Sequence, residues 1–299
     1  MAFEYEFSGG SPISLDEYMA WVDQNVDTSD PESIKESAVM LYRLSQNRSL
    51  LEDFLVDEIR STNGVGLQSS NAYTDMTFML GSSKGYFVRA NVWMPAKPPK
   101  GAASVEQLQD ELYAYEYPHD HNFDLLTVGY WGPGYRTEIF EYDPTKVVGY
   151  VGEKVDLEKI QDTYLSEGKV MFFRKSEDIH IQHHPEALSI SVNLLPVTKD
   201  LTYRPQYGFD IASKTISGYV EGGTVGRVRL IEMAVAILGE RASGFLEEIG
   251  KSHRCARTRM ESFDALAKGS NDPGAVYERA MSDSSAFVRH MASQALARI

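Results

Sequence analysis

Two histidines at alternate positions form the strongest chemical feature of this sequence. His119 and His121 flank a single aspartate, Asp120. Alternate side chains of an extended strand share one face, so the two imidazoles would point the same way, about 7 Å apart along the strand. Imidazole is a frequent ligand of divalent transition metals. The pair indicates a metal site, although an H-x-H pair alone is common and equally consistent with structural histidines.

A third histidine is needed to complete such a site, and the later sequence offers one. Gly168 starts a turn into the strand-like run 170–174, and His180 follows it after a short polar stretch. His183 and His184 come directly before a proline and are predicted to be turn residues, with a position at the mouth of the site as the alternative. His180 is therefore the candidate third ligand.

The chain around these histidines predicts an antiparallel β domain. From residue 73 to 225, aromatic and β-branched runs are broken by glycine and proline. The Gly-Pro-Gly sequence at 132–134 is a candidate hairpin turn. The predicted strands cover 75–80, 85–93, 124–131, 135–142, 170–174 and 188–194. So many short strands in one stretch favour a sandwich or a barrel.

The sequence predicts helices at both ends of the chain. Ser14 and Glu17 form a capping box, and Asp30 precedes Pro31 at a second helix start. After residue 226, apolar residues recur at spacings of three and four, which predicts a long amphipathic helix over 228–249. We expect three segments, which are a helical segment at 1–72, the β domain at 73–225 and a helical segment at 226–299.

The order of these motifs resembles that of the cupin superfamily, in which an H-x-H pair precedes a glycine-led strand and one more histidine. The sequences Ile-His-Ile at 179–181 and PEALSIS at 185–191 resemble the cysteine-dioxygenase-like branch. The resemblance covers about a third of the chain, from 87 to 195. It implies an α+β chain with a cupin-type antiparallel β-barrel, the double-stranded β-helix, between its helical ends. The stretches 253–269 and 282–299 resemble HEAT-type helices, and a small helical cap on the barrel is an equal alternative.

The resemblance also implies a ligand set. Many cupins place a glutamate ligand four or five residues after the second histidine, where this chain has Leu125 and Leu126. The three-histidine branch lacks that glutamate and uses Fe(II), so we expect Fe(II), with zinc, nickel, manganese and copper as alternatives. Glu138, on the facing strand of the hairpin, is a candidate substitute ligand. The 2-oxoglutarate-dependent oxygenases bind their metal with a His-x-carboxylate pair. That pair would require an acid at 121 or 123, where the chain has His121 and Phe123, so this class of oxygenase is disfavoured.

Three further side chains are candidates for contact with a substrate. Arg89 lies in a strand-like run where a guanidinium is costly to bury unless paired. The resembled branch places a carboxylate-binding arginine on an early strand, and the alternative is that Arg89 faces solvent. Tyr130 and Tyr207 would supply a phenol.

These residues predict a non-heme iron-dependent oxygenase, of the dioxygenase type, acting with dioxygen on a small polar substrate such as an amino acid or a thiol. A non-catalytic cupin is the main alternative, with a bound metal or ligand and a helical tail that docks a protein partner. A third hypothesis is an isomerase or a hydrolase, because different cupins catalyse many different reactions.

Composition excludes several other classes. The net charge of -14 and the pI near 5.0 disfavour a nucleic-acid partner, because phosphates are bound by clustered lysine and arginine. The lone cysteine, Cys255, cannot form an internal disulfide and is a poor candidate nucleophile. The absence of long apolar stretches and of a leader pattern at the N-terminus predicts a cytoplasmic protein without a membrane segment. Cupins often self-associate, so a homo-oligomer is a further expectation.

Overall fold

A computed structural model of the chain describes residues 3–60, 76–96, 114–220 and 223–299. The chain forms two compact units, one of Met1–Tyr142 with Leu157–Thr198 and one of Asp143–Asp156 with Lys199–Ile299. The predicted boundary between residues 72 and 73 and the start of the predicted strand at 75 lie outside the described residues.

The first unit contains ten strands in two antiparallel sheets. The strands are β1 (Phe3–Tyr5), β2 (Thr77–Ser83), β3 (Tyr86–Trp93), β4 (His119–Asp120), β5 (Leu125–Trp131), β6 (Arg136–Glu141), β7 (Glu158–Tyr164), β8 (Val170–Phe173), β9 (Asp178–Gln182) and β10 (Ser189–Pro196). The first sheet has the order β1-β8-β5-β10-β3-β2, and the strands that this unit contributes to the second sheet have the order β4-β9-β6-β7. All six strands predicted from the sequence are present.

The strand order identifies the topology. From β3 to β10 the chain alternates between the sheets, except that β6 and β7 pair with each other in the second sheet, and this gives the orders β3-β10-β5-β8 and β4-β9-β6-β7. This is the connectivity of the double-sheet jelly roll that cupins share. The structure therefore confirms an α+β fold with a cupin-type pair of antiparallel sheets.

The two sheets of this cupin-type fold are not closed into a barrel. The two sheets face each other, but the hydrogen-bonded order of each is linear in the described part of the chain. One edge is β7, whose exposed residues include Glu158 and Lys159. Charged side chains on an edge strand oppose further pairing, which accounts for an open edge here.

Helices cover the outer face of the first sheet. They are α1 (Leu15–Asn25), α2 (Pro31–Glu36), α3 (Ala38–Ser45) and α4 (Glu52–Arg60). The predicted capping box is present, because the Glu17 backbone N–H donates to Ser14 Oγ at 3.2 Å and the Ser14 N–H donates to Glu17 Oε2 at 2.7 Å. Apolar residues from the helices and the sheet form one core, and its fully buried members include Tyr18, Ile34, Leu41, Val88, Val128, Phe172 and Val192. The outward side chains of this sheet are therefore committed to packing.

The second unit is mainly helical. It contains α5 (Asp200–Tyr203), the hairpin β11 (Tyr207–Asp210) and β12 (Thr215–Tyr219), then α6 (Gly223–Leu238), α7 (Ser243–Ser252), α8 (Ala256–Lys268), α9 (Pro273–Ala280) and α10 (Ala286–Leu296). The prediction of one long helix over 228–249 is wrong. Gly239 adopts φ +55° and starts a 3-10 turn, so α6 ends at Leu238 and α7 begins at Ser243. Among the described helices, none is long and apolar enough to cross a bilayer.

Candidate metal centre

The pairing of β4 with β9 brings the three predicted histidines together. His119 lies directly opposite His180 in the antiparallel ladder, so their side chains share one face. His121 follows two residues later and points the same way. Ligand atoms of the three side chains all lie within 4.8 Å of one another. The rings of His119 and His180 are 4.6 Å apart, and those of His121 and His180 are 4.7 Å apart.

The hydrogen bonds of His119 fix the nitrogen that it offers. Its Nδ1 lies 2.8 Å from the backbone carbonyl of Tyr117. A carbonyl only accepts, so this Nδ1 carries the hydrogen and Nε2 of the neutral ring keeps its lone pair. Nε2 of His119 and Nε2 of His180 are 3.2 Å apart. Two imidazole nitrogens that bind the same ion at about 2.1 Å lie about 3.0–3.4 Å apart. The distance between the two Nε2 atoms therefore fits a divalent metal.

Both of these histidines are held in the neutral, ligating form. His180 is 1% exposed and His119 is 6% exposed. Burial lowers the pKa of His119, and the hydrogen bond to the Tyr117 carbonyl only partly opposes that shift. Burial lowers the pKa of His180 well below its usual value, and the nearby His119 and His121 lower it further. Neutral imidazole is the form that binds a metal, so ligation requires no deprotonation at pH 7.

Buried acids anchor the strands that carry the histidines. Asp120 alternates with the histidines and accepts a 2.6 Å hydrogen bond from the Tyr142 hydroxyl. Asp178 begins β9 and accepts a 2.7 Å bond from the Arg174 backbone N–H, while its carboxylate also pairs with that guanidinium. The Ser176 N–H donates to the His121 carbonyl at 2.7 Å. These contacts hold β4, β9 and the loop between β8 and β9 in register.

The inner face of the first sheet carries polar side chains beside apolar ones. Phe173 on β8 contacts the His180 ring at 4.9 Å, and the ladder places Leu125, Thr127, Asn193 and Arg89 on the same face as Phe173. Thr127 Oγ1 donates to Asn193 Oδ1 at 2.5 Å. The Asn193 amide then donates to Asn91 at 3.2 Å. The space between the sheets is therefore lined by hydrogen-bonding groups as well as by the histidines.

The other predicted site residues have different positions. Arg89 is on the inner face and 9% exposed. The Tyr130 hydroxyl donates to the backbone carbonyls of Asn47 and Arg48, so it lies on the helix-covered face. Tyr207 belongs to the second unit, where its hydroxyl lies against Gly149. The structure does not bring Tyr130 to the histidines.

Glu138 lies on the face of the second sheet opposite to the histidines. It pairs with Ile181 in the ladder, whereas the neighbouring Ile139 pairs with His180. Its carboxylate binds Lys159 at 2.5 Å and His183 at 3.0 Å. The hydrogen bond from Lys159 is the main reason that the pKa of Glu138 is lowered. In the described part of the chain, the metal-binding cluster contains three histidines without a carboxylate.

Sequence reasoning missed two residues beside the site, Gln182 and Tyr135. Gln182 lies two residues after His180 on β9, and its amide Nε2 is 3.4 Å from His180 Nδ1. Burial raises the pKa of the Tyr135 hydroxyl, and hydrogen bonding with Gln182 partly opposes that shift. The period of two along a strand, which links His119 to His121, would have placed Gln182 on the face of His180.

Comparisons with known proteins show only remote similarity. No family model matches the chain, and no curated protein matches its sequence. Similar solved structures include hydroquinone 1,2-dioxygenase PnpCD in complex with Cd²⁺ and 4-hydroxybenzonitrile, at 12% identity and a TM-score of 0.28, covering 43% of this chain and 68% of that one. The DMSP lyase DddQ from Ruegeria pomeroyi DSS-3 has 11% identity, a TM-score of 0.26 and coverage of 53% and 72%.

A third similar structure is YcfD, a ribosomal oxygenase from Escherichia coli, in complex with cobalt and succinic acid. It has 9% identity, a TM-score of 0.22 and coverage of 67% of this chain and 40% of that one. This chain therefore spans less than half the length of YcfD. Similarities this remote do not indicate an activity, whereas the strand topology and the histidine cluster are features of the chain itself.

Proposed function

We propose that the protein is a non-heme iron-dependent oxygenase of a small polar substrate, with Fe(II) held by His119, His121 and His180. The observation that carries this proposal is the buried convergence of three imidazoles on one face of a jelly-roll sheet. Three neutral ligands leave a divalent ion its full charge and, at six-coordination, about three open positions. A bound Fe(II) would supply redox chemistry with dioxygen.

The donor set supports iron without singling it out. Imidazole suits iron, and it also suits zinc, nickel and copper. Zinc is the expected ion if the site hydrolyses its substrate or only stabilises the fold. We favour Fe(II) because the sequence resembles the three-histidine branch of the cupins, which uses it. Zinc, nickel, manganese and copper remain the alternatives to be tested.

The polar interior supports a substrate that carries hydrogen-bonding groups. Arg89 places a guanidinium on the inner face of the first sheet, where low exposure strengthens its attraction for a carboxylate. Thr127 and Asn193 lie beside it in the same row of the ladder. We assign Arg89 to the binding of a substrate carboxylate, and Thr127 with Asn193 to the binding of neutral polar groups. An amino acid or a small thiol acid has this chemistry.

Oxygen consumption tests the proposal. The purified protein is reconstituted with Fe(II) under anaerobic conditions, and oxygen uptake is then measured with a panel of amino acids and thiols. We expect uptake with at least one carboxylate-bearing compound, and loss of that uptake in Arg89→Met, which keeps an unbranched apolar stem. No uptake together with tight retention of zinc would favour the non-catalytic metal-binding alternative. Self-association and cytoplasmic location stay predictions.

A further inference from the structure

Three arginines meet around the start of α8 in the second unit, although the chain as a whole has a net charge of -14. Arg254 lies two residues before this helix, Arg257 is its second residue, and Arg227 reaches it from α6. The Arg227 Nε donates to Thr258 Oγ1 at 3.2 Å, which places this guanidinium beside the first turn of α8. We call Arg227, Arg254 and Arg257 the arginine cluster.

Two tyrosine rings position the guanidiniums of the arginine cluster. The guanidinium carbons of Arg227 and Arg254 each lie 5.7 Å from the centre of the Tyr203 ring. That of Arg257 lies 3.8 Å from the centre of the Tyr219 ring. A guanidinium that contacts a ring with its flat face keeps the N–H donors at its edge available, and these match the oxygens of a phosphate or a carboxylate. The cluster can therefore donate hydrogen bonds to an anion.

The carboxylates of the chain do not neutralise the arginine cluster. Within the described ranges, none of them forms an ion pair with any of its three members. Nη1 of Arg257 is buried and has no hydrogen-bond partner in the same part of the chain. Arg259, the next arginine of α8, differs, because Asp283 binds it through two hydrogen bonds of 2.7 Å. The positive charge of the cluster is therefore available for a ligand.

The position of the arginine cluster is electrostatically unfavourable for the folded chain alone. The N-terminus of a helix carries a partial positive charge, which favours acidic side chains in the first turn. The first turn of α8 has no acidic residue and contains Arg257 instead. The positive charge also acts on His253, because burial lowers the pKa of this ring and Arg227 and Arg259 lower it further. A bound anion would offset this repulsion.

Hydrogen bonds hold the backbone around the cluster in place. Nη1 of Arg259 donates to the backbone carbonyls of His253 at 2.6 Å and Arg254 at 3.3 Å, which fixes the loop before α8. Nη2 of Arg227 donates to the backbone carbonyl of Thr202, at the end of α5. An anion would therefore meet donors whose supports are already ordered, and this lowers the entropic cost of binding.

We propose that the arginine cluster binds the phosphate group of a small molecule. A phosphate monoester carries a charge of about -1.5 to -2 at pH 7, which three guanidiniums match, and its oxygens can accept hydrogen bonds from more than one of them. A small ligand is favoured over a nucleic acid, because the net charge of -14 repels a polyanion that extends beyond the cluster. This inference does not rest on the metal site or on its reaction.

Isothermal titration calorimetry of the full chain tests the proposal. The probes are phenyl phosphate and inorganic phosphate, at about 150 mM NaCl to screen unspecific attraction. We expect both probes to bind and acetate to give no heat of binding. Arg254→Gln and Arg257→Gln should each weaken phenyl phosphate binding about 10-fold, because each removes charged hydrogen-bond donors. Arg279→Gln is the control, because it removes the same charge from a different ion pair, with Glu247, and should bind as the wild type does.

Arg254→Lys separates the loss of a ligand contact from a loss of folding. Arg254 is exposed, and lysine keeps its charge without the planar set of donors. We expect an affinity for phenyl phosphate between those of the wild type and Arg254→Gln.

Two kinds of result would overturn the inference. One is a wild type that does not bind phenyl phosphate, or that binds it no better than Arg254→Gln and Arg257→Gln do. The other is binding of a single-stranded oligonucleotide without binding of phenyl phosphate, which would indicate a polyanionic partner instead. The metal content and oxygen uptake of the protein test the proposed function separately from these measurements.

Discussion

Acid should destabilise the first unit through its buried histidines. The pKa of His180 in the folded chain lies well below 6.5, chiefly because burial disfavours the charged ring. The unfolded chain therefore binds this proton at a higher pH than the folded chain does. His180 therefore contributes to the free energy of unfolding. This contribution is fully present when the pH is above the pKa of His180 in the unfolded chain, and it is lost as the pH falls below that pKa.

The size of this effect follows from the unfolded pKa. Between pH 7 and pH 5.5, protonation of one unfolded histidine of pKa 6.5 stabilises the unfolded state by about 1.3 kcal/mol, if the folded ring stays neutral. His180→Gln removes the titrating group and keeps a polar side chain. Between pH 7 and pH 5.5, the His180→Gln variant should lose about 1.3 kcal/mol less unfolding free energy than the wild type loses.

Urea unfolding followed by tryptophan fluorescence is the appropriate assay. Trp21, Trp93 and Trp131 all belong to the first unit, so the signal reports on the sheets that carry the histidines. The measurements are made in chelator at both pH values, and Thr137→Val is the control because it changes no titrating group. An equal loss of unfolding free energy between the two pH values in His180→Gln, the wild type and the control would refute the contribution assigned to His180.

Two further predictions concern the acidic residues Asp120 and Glu138. Tyr142→Phe removes the 2.6 Å hydrogen bond to the fully buried Asp120. We therefore expect urea unfolding to show a loss of about 1–3 kcal/mol of unfolding free energy. An unchanged free energy of unfolding would show that this hydrogen bond does not stabilise the fold. Glu138→Gln should leave the bound metal per chain unchanged, because Glu138 lies on the opposite face of the sheet from His180. A clear fall in metal content, measured by elemental analysis, would instead make Glu138 a ligand.

Much of the site could be predicted because local spacing determines it. The alternation of side chains along a strand places His119 and His121 on one face whatever the strand pairs with. The capping box of Ser14 and Glu17 depends on residues three apart, and it forms as predicted. The class of the fold followed from the same kind of local pattern, because short β-branched runs bounded by glycine and proline are typical of antiparallel sheets.

The remaining features depend on pairing between distant segments. Whether Glu138 faces the histidines is decided by its register with Ile181, and one residue of shift would reverse it. Edge strand β7 escaped prediction because its sequence, EKIQDTY, is polar and lacks the apolar alternation of a half-buried strand. The break at Gly239 is hidden by apolar residues that continue at helical spacing on both sides of it.

The metal content of the purified protein tests the central claim most directly. Wild type, His180→Ala and the control Thr137→Val are prepared in parallel, loaded with Fe(II) without oxygen, desalted and analysed for metals. The proposed site predicts one tightly held ion per chain in wild type and control and loss of that ion in His180→Ala, because two remaining imidazoles bind a divalent ion far more weakly. Equal metal in all three proteins would contradict it.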